Sequence, residues 1–253
     1  MLDHQTAEKL SSMRLSSMVK EYRRQIEHPQ TQDLTFEERF GMIVDAEWLG
    51  RKNNRLHRLL KGSNMRISDA CLEDVDYSPE RRIDKDMVSR LADCGWIREG
   101  RTLLVTGATG TGKTYLACAF GTASCRQDLK TKYYRVNRLF ADLMISRGDG
   151  SYNKLLRDLK RIDLLILDDF GMAMLEPASS RDLLEVIDDR MDRKGTLIAS
   201  QLPVAHWHDL FEDSTVADAV LDRVMHSSYR FELHGDTKRK TVDYANRGDD
   251  KEQ

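Results

Sequence analysis

Long apolar runs are missing from this 253-residue chain. The longest, such as Leu164 to Leu167, are strand-sized and fall far short of the roughly 20 residues that span a bilayer. The opening stretch MLDHQTAEKL has no apolar signal core either. Both absences predict a soluble, cytoplasmic protein with no membrane partner. Cysteine is scarce: Cys71, Cys94, Cys118 and Cys125 form no CxxC pair and have no flanking histidine pattern, which argues against a disulfide framework or a zinc site and for a reduced compartment. Net charge is nearly absent, since 40 Lys+Arg against 42 Asp+Glu leave -2. Any binding of nucleic acid must therefore come from local clustering of charge. Internal repeats and low-complexity tracts are also lacking. What is present is an apolar content of 40%, enough for one core-forming domain with a smaller appendage.

The appendage comes first. From about residue 6 to 27 the pattern is helical and amphipathic, and His28-Pro29 with the polar stretch to Asp33 breaks it. Thr35-Phe36-Glu37-Glu38 has the capping-box form, in which a hydroxyl and a Glu three residues on satisfy each other's free backbone N–H at a helix start. Phe40, Ile43, Val44, Leu56, Leu59 and Leu60 continue that helix to Gly62-Ser63-Asn64. Residues 1–66 thus read as a small helical module. Residues 67–84 read as a linker, and Lys85 to Cys94 as a short helix opening a larger domain that runs to residue 253. There, strand-like runs (Leu103 to Thr106, Lys132 to Val136, Leu164 to Asp168, Thr196 to Ser200, Tyr229 to Leu233) alternate with helical stretches, the pattern of a parallel five-stranded α/β sheet.

The first of these strands runs into Gly107-Ala108-Thr109-Gly110-Thr111-Gly112-Lys113-Thr114, and then into a helix beginning Tyr115-Leu116-Ala117. Strand, glycine loop and helix in that order make a phosphate-binding loop. The glycines let backbone N–H groups turn toward phosphate oxygens, and the helix N-terminus favours negative charge. Lys113 reaches the β- and γ-phosphates and Thr114 ligates magnesium. Gly107 to Tyr115 is the expected ATP-binding stretch. Such a loop does not by itself separate kinases, GTPases and ATPases. The run Leu164-Leu165-Ile166-Leu167-Asp168-Asp169 arbitrates: Asp168 can hold the magnesium shell and Asp169 can orient or deprotonate an attacking water, which favours hydrolysis over small-molecule phosphorylation. Gln201 ends the strand Thr196 to Ser200 and is placed to sense a γ-phosphate, or simply to bond a neighbouring loop. Arg223, in Ala217-Asp218-Ala219-Val220-Leu221-Asp222-Arg223, is either an arginine finger for a neighbouring subunit or part of an ordinary Asp–Arg surface.

Residues 51 to 66 contain Arg51, Lys52, Arg55, Arg58, Lys61 and Arg66 and no acid. Arg51, Arg55 and Arg58 recur at helical spacing opposite Leu56, Leu59 and Leu60. Such a face can follow DNA phosphates without reading bases, or it can be merely solvated. Lys20, Arg23 and Arg24 are a lesser cluster. Trp48, on an apolar helical pattern, is expected in the core rather than stacked on a nucleotide.

The loop GATGTGKT, the run RIDLLILDDFG, the stretch TLIASQLPVAHWHDL and the later VADAVLDRVMH closely resemble, in order and spacing, the IstB-like transposition helper ATPases. The segment LTFEERFGMIVDAEWLGRKNNRLHRLLK resembles that family's helical module, so the likeness covers nearly the whole chain. The resemblance implies an AAA+ ATPase of the initiator and helicase-loader branch. It implies homo-oligomers that assemble with ATP on duplex DNA, deform it, and present it as target to a partner transposase. It places Lys113 and Thr114 on the Walker A positions, Asp168 and Asp169 on Walker B, Gln201 on sensor one and Arg223 on the arginine finger. It also makes residues 1–66 the DNA-binding and oligomerisation module, with Arg51, Lys52, Arg55, Arg58 and Lys61 on the DNA. Only some twenty residues follow the last expected strand, too few for a C-terminal helical lid. A DnaC-like helicase loader is the nearest alternative; a small-molecule kinase and a structural DNA-binding protein locked by ATP are more distant ones.

Overall fold

A computed structural model describes residues 2–28 and 33–235, so the expected break at Pro29 and the tail beyond residue 235 lie outside the described residues. The chain divides into two compact units, Met1–Arg58 and Leu59–Gln253.

In the first unit the helical stretch expected over residues 6 to 27 is two helices, α1 (Leu2–Ser12) and α2 (Ser16–Glu27). Arg14 interrupts them with a left-handed backbone, φ 60°. Leu15 N donates back to Leu10 O and Arg14 N to Ser11 O, a paired closure that satisfies the last carbonyls of α1. Arginine stands here where glycine is usual, so no punctuation marks the break. The third helix, α3 (Phe36–Ser63), starts at the expected capping box: Glu38 N donates to Thr35 Oγ1 at 3.3 Å and Thr35 N to Glu38 Oε2 at 2.8 Å. Glu47 is buried on α3 and accepts from Ser17 N and Met18 N, two first-turn amides of α2. It also accepts from Arg51 Nε at 2.8 Å, and Arg51 is the main reason that its carboxyl lies below the usual range. Trp48 is not in the core. It is 60% exposed, on a solvent-facing row with Phe36 and Phe40, because the neighbouring position, Glu47, is the one turned to α2.

The second unit holds the sheet: β1 (Thr102–Gly107), β2 (Thr131–Arg135), β3 (Leu164–Phe170), β4 (Gly195–Ser200) and β5 (Ser228–Leu233). All pairings are parallel, in the order β2-β3-β4-β1-β5. Residues alternate between two cores. Leu103, Val105, Ile166 and Ala199 face α6 (Lys113–Arg126), whose Leu116 and Phe120 are buried. Leu104, Leu165, Leu167 and Ile198 face the opposite layer, built by α7 (Val136–Gly148), α8 (Tyr152–Lys160), α9 (Pro177–Arg190) and α10 (Ser214–Met225). Burial on both faces explains why β3 is continuously apolar rather than alternating. Two short helices, α4 (Lys85–Leu91) and α5 (Gly95–Arg98), precede β1. Residues 67–84, expected as a linker, pack onto the α6 side: Ala70 and Val75 are buried, with Ile67, Leu72, Tyr77 and Ile83 against them. Among the described residues no helix is long and apolar enough to cross a membrane.

One buried charge ties the frame together. Arg190, at the end of α9, is 1% exposed and donates to the carbonyls of Leu159, Ile162, Asp163 and Gly195 and to Thr196 Oγ1. Burial pushes its pKa down to about 9, so it remains a cation at neutral pH.

Candidate nucleotide site

β1 crosses toward β2 while its neighbour β4 crosses the other way to β5, and this divergence opens a crevice at their carboxyl ends, the place where α/β sheets take ligands. The glycine loop fills it. At Gly107, φ is 146° and an added Cβ would strike Leu233 O of β5, so only glycine fits the close approach of the two strands. At Gly112, φ is 99°, and this residue begins α6 with no side-chain cap. With no hydroxyl cap in competition, the first-turn amides of α6 suit a phosphate. Lys113 Nζ donates to Ala108 O within the loop at 2.7 Å. Thr111 Oγ1 donates to the same carbonyl at 2.9 Å.

β3 brings the two carboxylates. Asp168 is 1% exposed, and its Oδ2 accepts from Thr114 Oγ1 at 2.8 Å and from Tyr133 Oη at 2.7 Å. Its Oδ1 accepts from Asp169 N at 2.9 Å. Burial, and then the Asp168 carboxylate, push the Tyr133 phenol well above its usual range, so it stays a donor. Asp169 sits where the β3–β4 register slips, with a left-handed φ of 59°. Aspartate tolerates that conformation better than most residues, and it turns the carboxylate out of the strand. Its Oδ2 lies 3.4 Å from Arg135 Nε and 3.9 Å from Arg66 Nη1. Gln201, just past β4, closes the far wall: its Oε1 accepts from Thr109 Oγ1 at 2.6 Å and its Nε2 donates to Met172 Sδ at 3.3 Å.

These groups line a cleft of about 420 Å³ on one side of the loop, with Lys113, Thr114, Asp169, Gln201, Arg66 and Arg135 in its walls. On the other side lies a second cavity of about 330 Å³, walled largely by apolar groups including Val75, Ile83 and Leu116, with Asp76 and Arg81 at its edge. Tyr115 borders both cavities, and its hydroxyl donates to Cys71 O at 3.4 Å. A polar, cationic cleft beside an apolar one suits a phosphate chain joined to a flat base. Buried Arg81 donates to Thr111 O at 3.1 Å and so ties the residues before β1 to the loop. For magnesium, the oxygen set of Thr114 and Asp168 suits a hard cation that completes its shell with water and phosphate oxygens. Among the described residues no cluster of three or more His, Cys, Asp or Glu offers a metal cage of its own.

The family model described as IstB-like ATP binding protein matches residues 8–245. The chain belongs to the IstB-like ATP-binding proteins. It is 40% identical over 240 residues to a putative insertion sequence ATP-binding protein of Sinorhizobium fredii, covering 95% of this chain and 98% of the relative. It is 42% identical over 203 residues to the putative ATP-binding protein of insertion sequence IS1162 from Pseudomonas fluorescens, covering 80% and 88%. Among solved structures it resembles the DnaC helicase loader (TM-score 0.56, 21% identity, 65% of this chain and 97% of that one). It also resembles AMPPCP-bound DnaA from Aquifex aeolicus (TM-score 0.55, 19% identity, 66% and 51%). These neighbours share the P-loop AAA+ fold of this IstB-like chain.

Of the residues expected to act, Gly107 to Thr114, Asp168, Asp169 and Gln201 converge in one place. Arg223 does not join them. It lies near the carboxyl end of α10, at the opposite end of the sheet, where its Nε donates to Asp188 at 2.7 Å and its Nη1 to Ala219 O at 2.8 Å. The basic run lies on α3; there Arg51 is paired with Glu47, and Lys52 sits 5.1 Å above the Trp48 ring. Tyr133, Arg135, Arg66 and Arg81 were not anticipated in the site. Tyr133 and Arg135 had only a partial signal: their strand was legible, but its pairing with β3 was not. Arg66 and Arg81 had none, because their arrival depends on how residues 59–84 fold over α6.

Proposed function

We propose that this IstB-like protein hydrolyses ATP with magnesium as a homo-oligomer on duplex DNA, deforms that DNA and delivers it as target to a partner transposase. The observation that carries the reading is the separation of Arg223 from its own nucleotide loop. Lys113, Thr114 and Asp169 line one cleft, with Asp168 bonded to Thr114 behind it, while Arg223 stands on α10 at the other end of the sheet. An arginine so placed completes the cleft of a second copy, so turnover requires assembly. The insertion-sequence relatives, matched along 95% and 80% of the chain, support the transposase as partner. The likeness to the DnaC loader, at 21% identity, speaks for the fold alone.

Within the cleft, the amides of the loop and of the first turn of α6 bind the phosphate chain, and the Lys113 ammonium exchanges Ala108 O for a phosphate oxygen. Magnesium, held by Thr114 and Asp168, supplies charge neutralisation at the phosphates. Asp169 orients the attacking water once Arg135 and Arg66 give up its carboxylate. Gln201, bonded to Thr109, keeps the γ-phosphate end of the loop in register. The basic face of α3 supplies the contact to DNA phosphates.

The test is sedimentation of the full chain with a duplex of unrelated sequence, in ATP and in ADP. Large complexes that need both duplex and ATP support the reading. A monomer in every mixture refutes it.

A further inference from the structure

Asp168 receives three donors from three separate elements, and they are not equivalent. The Asp169 amide belongs to the backbone of β3 and fixes Oδ1. The Thr114 hydroxyl comes from the first turn of α6 and donates its hydrogen to Oδ2 at 2.8 Å, which would leave its lone pairs for a cation. The third donor is Tyr133 Oη, reaching from β2 at 2.7 Å. Tyr133 is 7% exposed, and its ring is part of the core beneath α6. β2 and β3 pair in parallel with Tyr133 opposite Ile166 and Arg135 opposite Asp168, so the hydroxyl must reach two positions along β3 to find the carboxylate. Phenylalanine would fill the same space beside Ile166 and Cys118 without bringing a polar group inside. A buried hydroxyl is retained at a cost unless it is hydrogen-bonded, and here its acceptor is the residue on which the metal depends.

We propose that Tyr133 is a positioning residue for the reaction: it holds Asp168 Oδ2 against Thr114 and thereby sets how strongly magnesium tightens the hold on ATP. The proposal rests on the reading of Thr114 and Asp168 as the magnesium residues. Neither Thr114 nor the Asp169 amide substitutes for it. Thr114 bonds Oδ2 from the half-buried first turn of α6 and the amide bonds Oδ1 alone, whereas Tyr133 bonds Oδ2 from a ring held in the core. With Tyr133 in place the carboxylate is fixed before metal arrives, so binding does not have to order it.

The experiment uses the full chain and a fluorescent ATP analogue, titrated in EDTA and then over a range of magnesium concentrations. Tyr133→Phe is expected to match wild type in EDTA and to melt within a few degrees of it. The magnesium concentration that half-maximally tightens nucleotide binding is expected to rise roughly tenfold, because metal must then order the carboxylate itself. In an Asp168→Asn background the same substitution should add nothing, because the partner is gone. A magnesium midpoint within twofold of wild type overturns the proposal. So does a loss of equal size in both backgrounds, which would make the phenol a packing residue only. Wild-type binding that ignores magnesium refutes the metal assignment itself and takes the proposal with it.

Discussion

Replacing Lys113 by Ala removes the ammonium that the glycine loop keeps beside the phosphate cleft. In this structure Nζ donates a 2.7 Å hydrogen bond to Ala108 O. A hydrogen bond from a charged donor to a neutral carbonyl contributes about 1–2 kcal/mol net, and one between opposite charges about 1.5–3 kcal/mol, more where water is excluded. Substrate trades the first for the second and adds the attraction between the ammonium and the other phosphate oxygens. Lys113→Ala should therefore weaken ATP binding by about 2–3 kcal/mol, or 30- to 150-fold at about 1.4 kcal/mol per tenfold. Stability should fall less, since the bond to Ala108 O contributes about 1–2 kcal/mol, a drop of about 2–8 °C in melting temperature. Equilibrium titration with a fluorescent ATP analogue, alongside a melting curve, separates the two quantities. A Kd within threefold of wild type would refute the assignment of the loop, and a melting drop on the order of 10 °C would show that Lys113 is chiefly structural.

Mixing Arg223→Ala with Lys113→Ala protein should restore part of the ATPase activity that each lacks alone, because some interfaces then pair an intact loop with an intact arginine; no recovery in demonstrably mixed oligomers would refute action in trans. Neutralising Arg55 and Arg58 should weaken binding to unrelated duplexes alike and flatten the plot of log affinity against log salt by about 0.9 for each DNA phosphate no longer neutralised, checked by anisotropy titrations at several salt concentrations. Arg190→Met should cost about 3–5 kcal/mol, because the carbonyls of Leu159, Ile162, Asp163 and Gly195 lose their shared donor inside the protein, and the melting temperature should fall on the order of 10 °C.

The sheet was legible because its chemistry is local. The central strands β1, β3 and β4, buried on both faces, read as apolar runs, the edge strands β2 and β5 as mixed ones, and all five lie within a residue or two of the expected stretches. The glycine loop was legible for the same reason: Gly107 and Gly112 occupy backbone conformations or close approaches that other residues resist. The start of α3 was legible through reciprocal bonds between residues three apart. Other features depend on what the chain meets later. The break at Arg14 uses a residue with no turn signature. The burial of Ala70 and Val75 comes from packing on α6, although polar neighbours make that segment look like a linker. Trp48 looks like core because its spacing is helical, yet the phase of α3 is set by Glu47 reaching α2. Tyr133 reaches Asp168 from a neighbouring strand, a pairing that spacing along the chain does not encode.

The steady-state ATPase rate of the full chain, measured with and without duplex DNA of unrelated sequence, tests the central claim most directly. Arg223 lies away from the nucleotide loop of its own chain, and the basic face of α3 is the proposed duplex contact. Low turnover alone, stimulated by duplex and lost again as salt rises, is the predicted result. A rate that is the same with and without duplex, and independent of protein concentration, would contradict it.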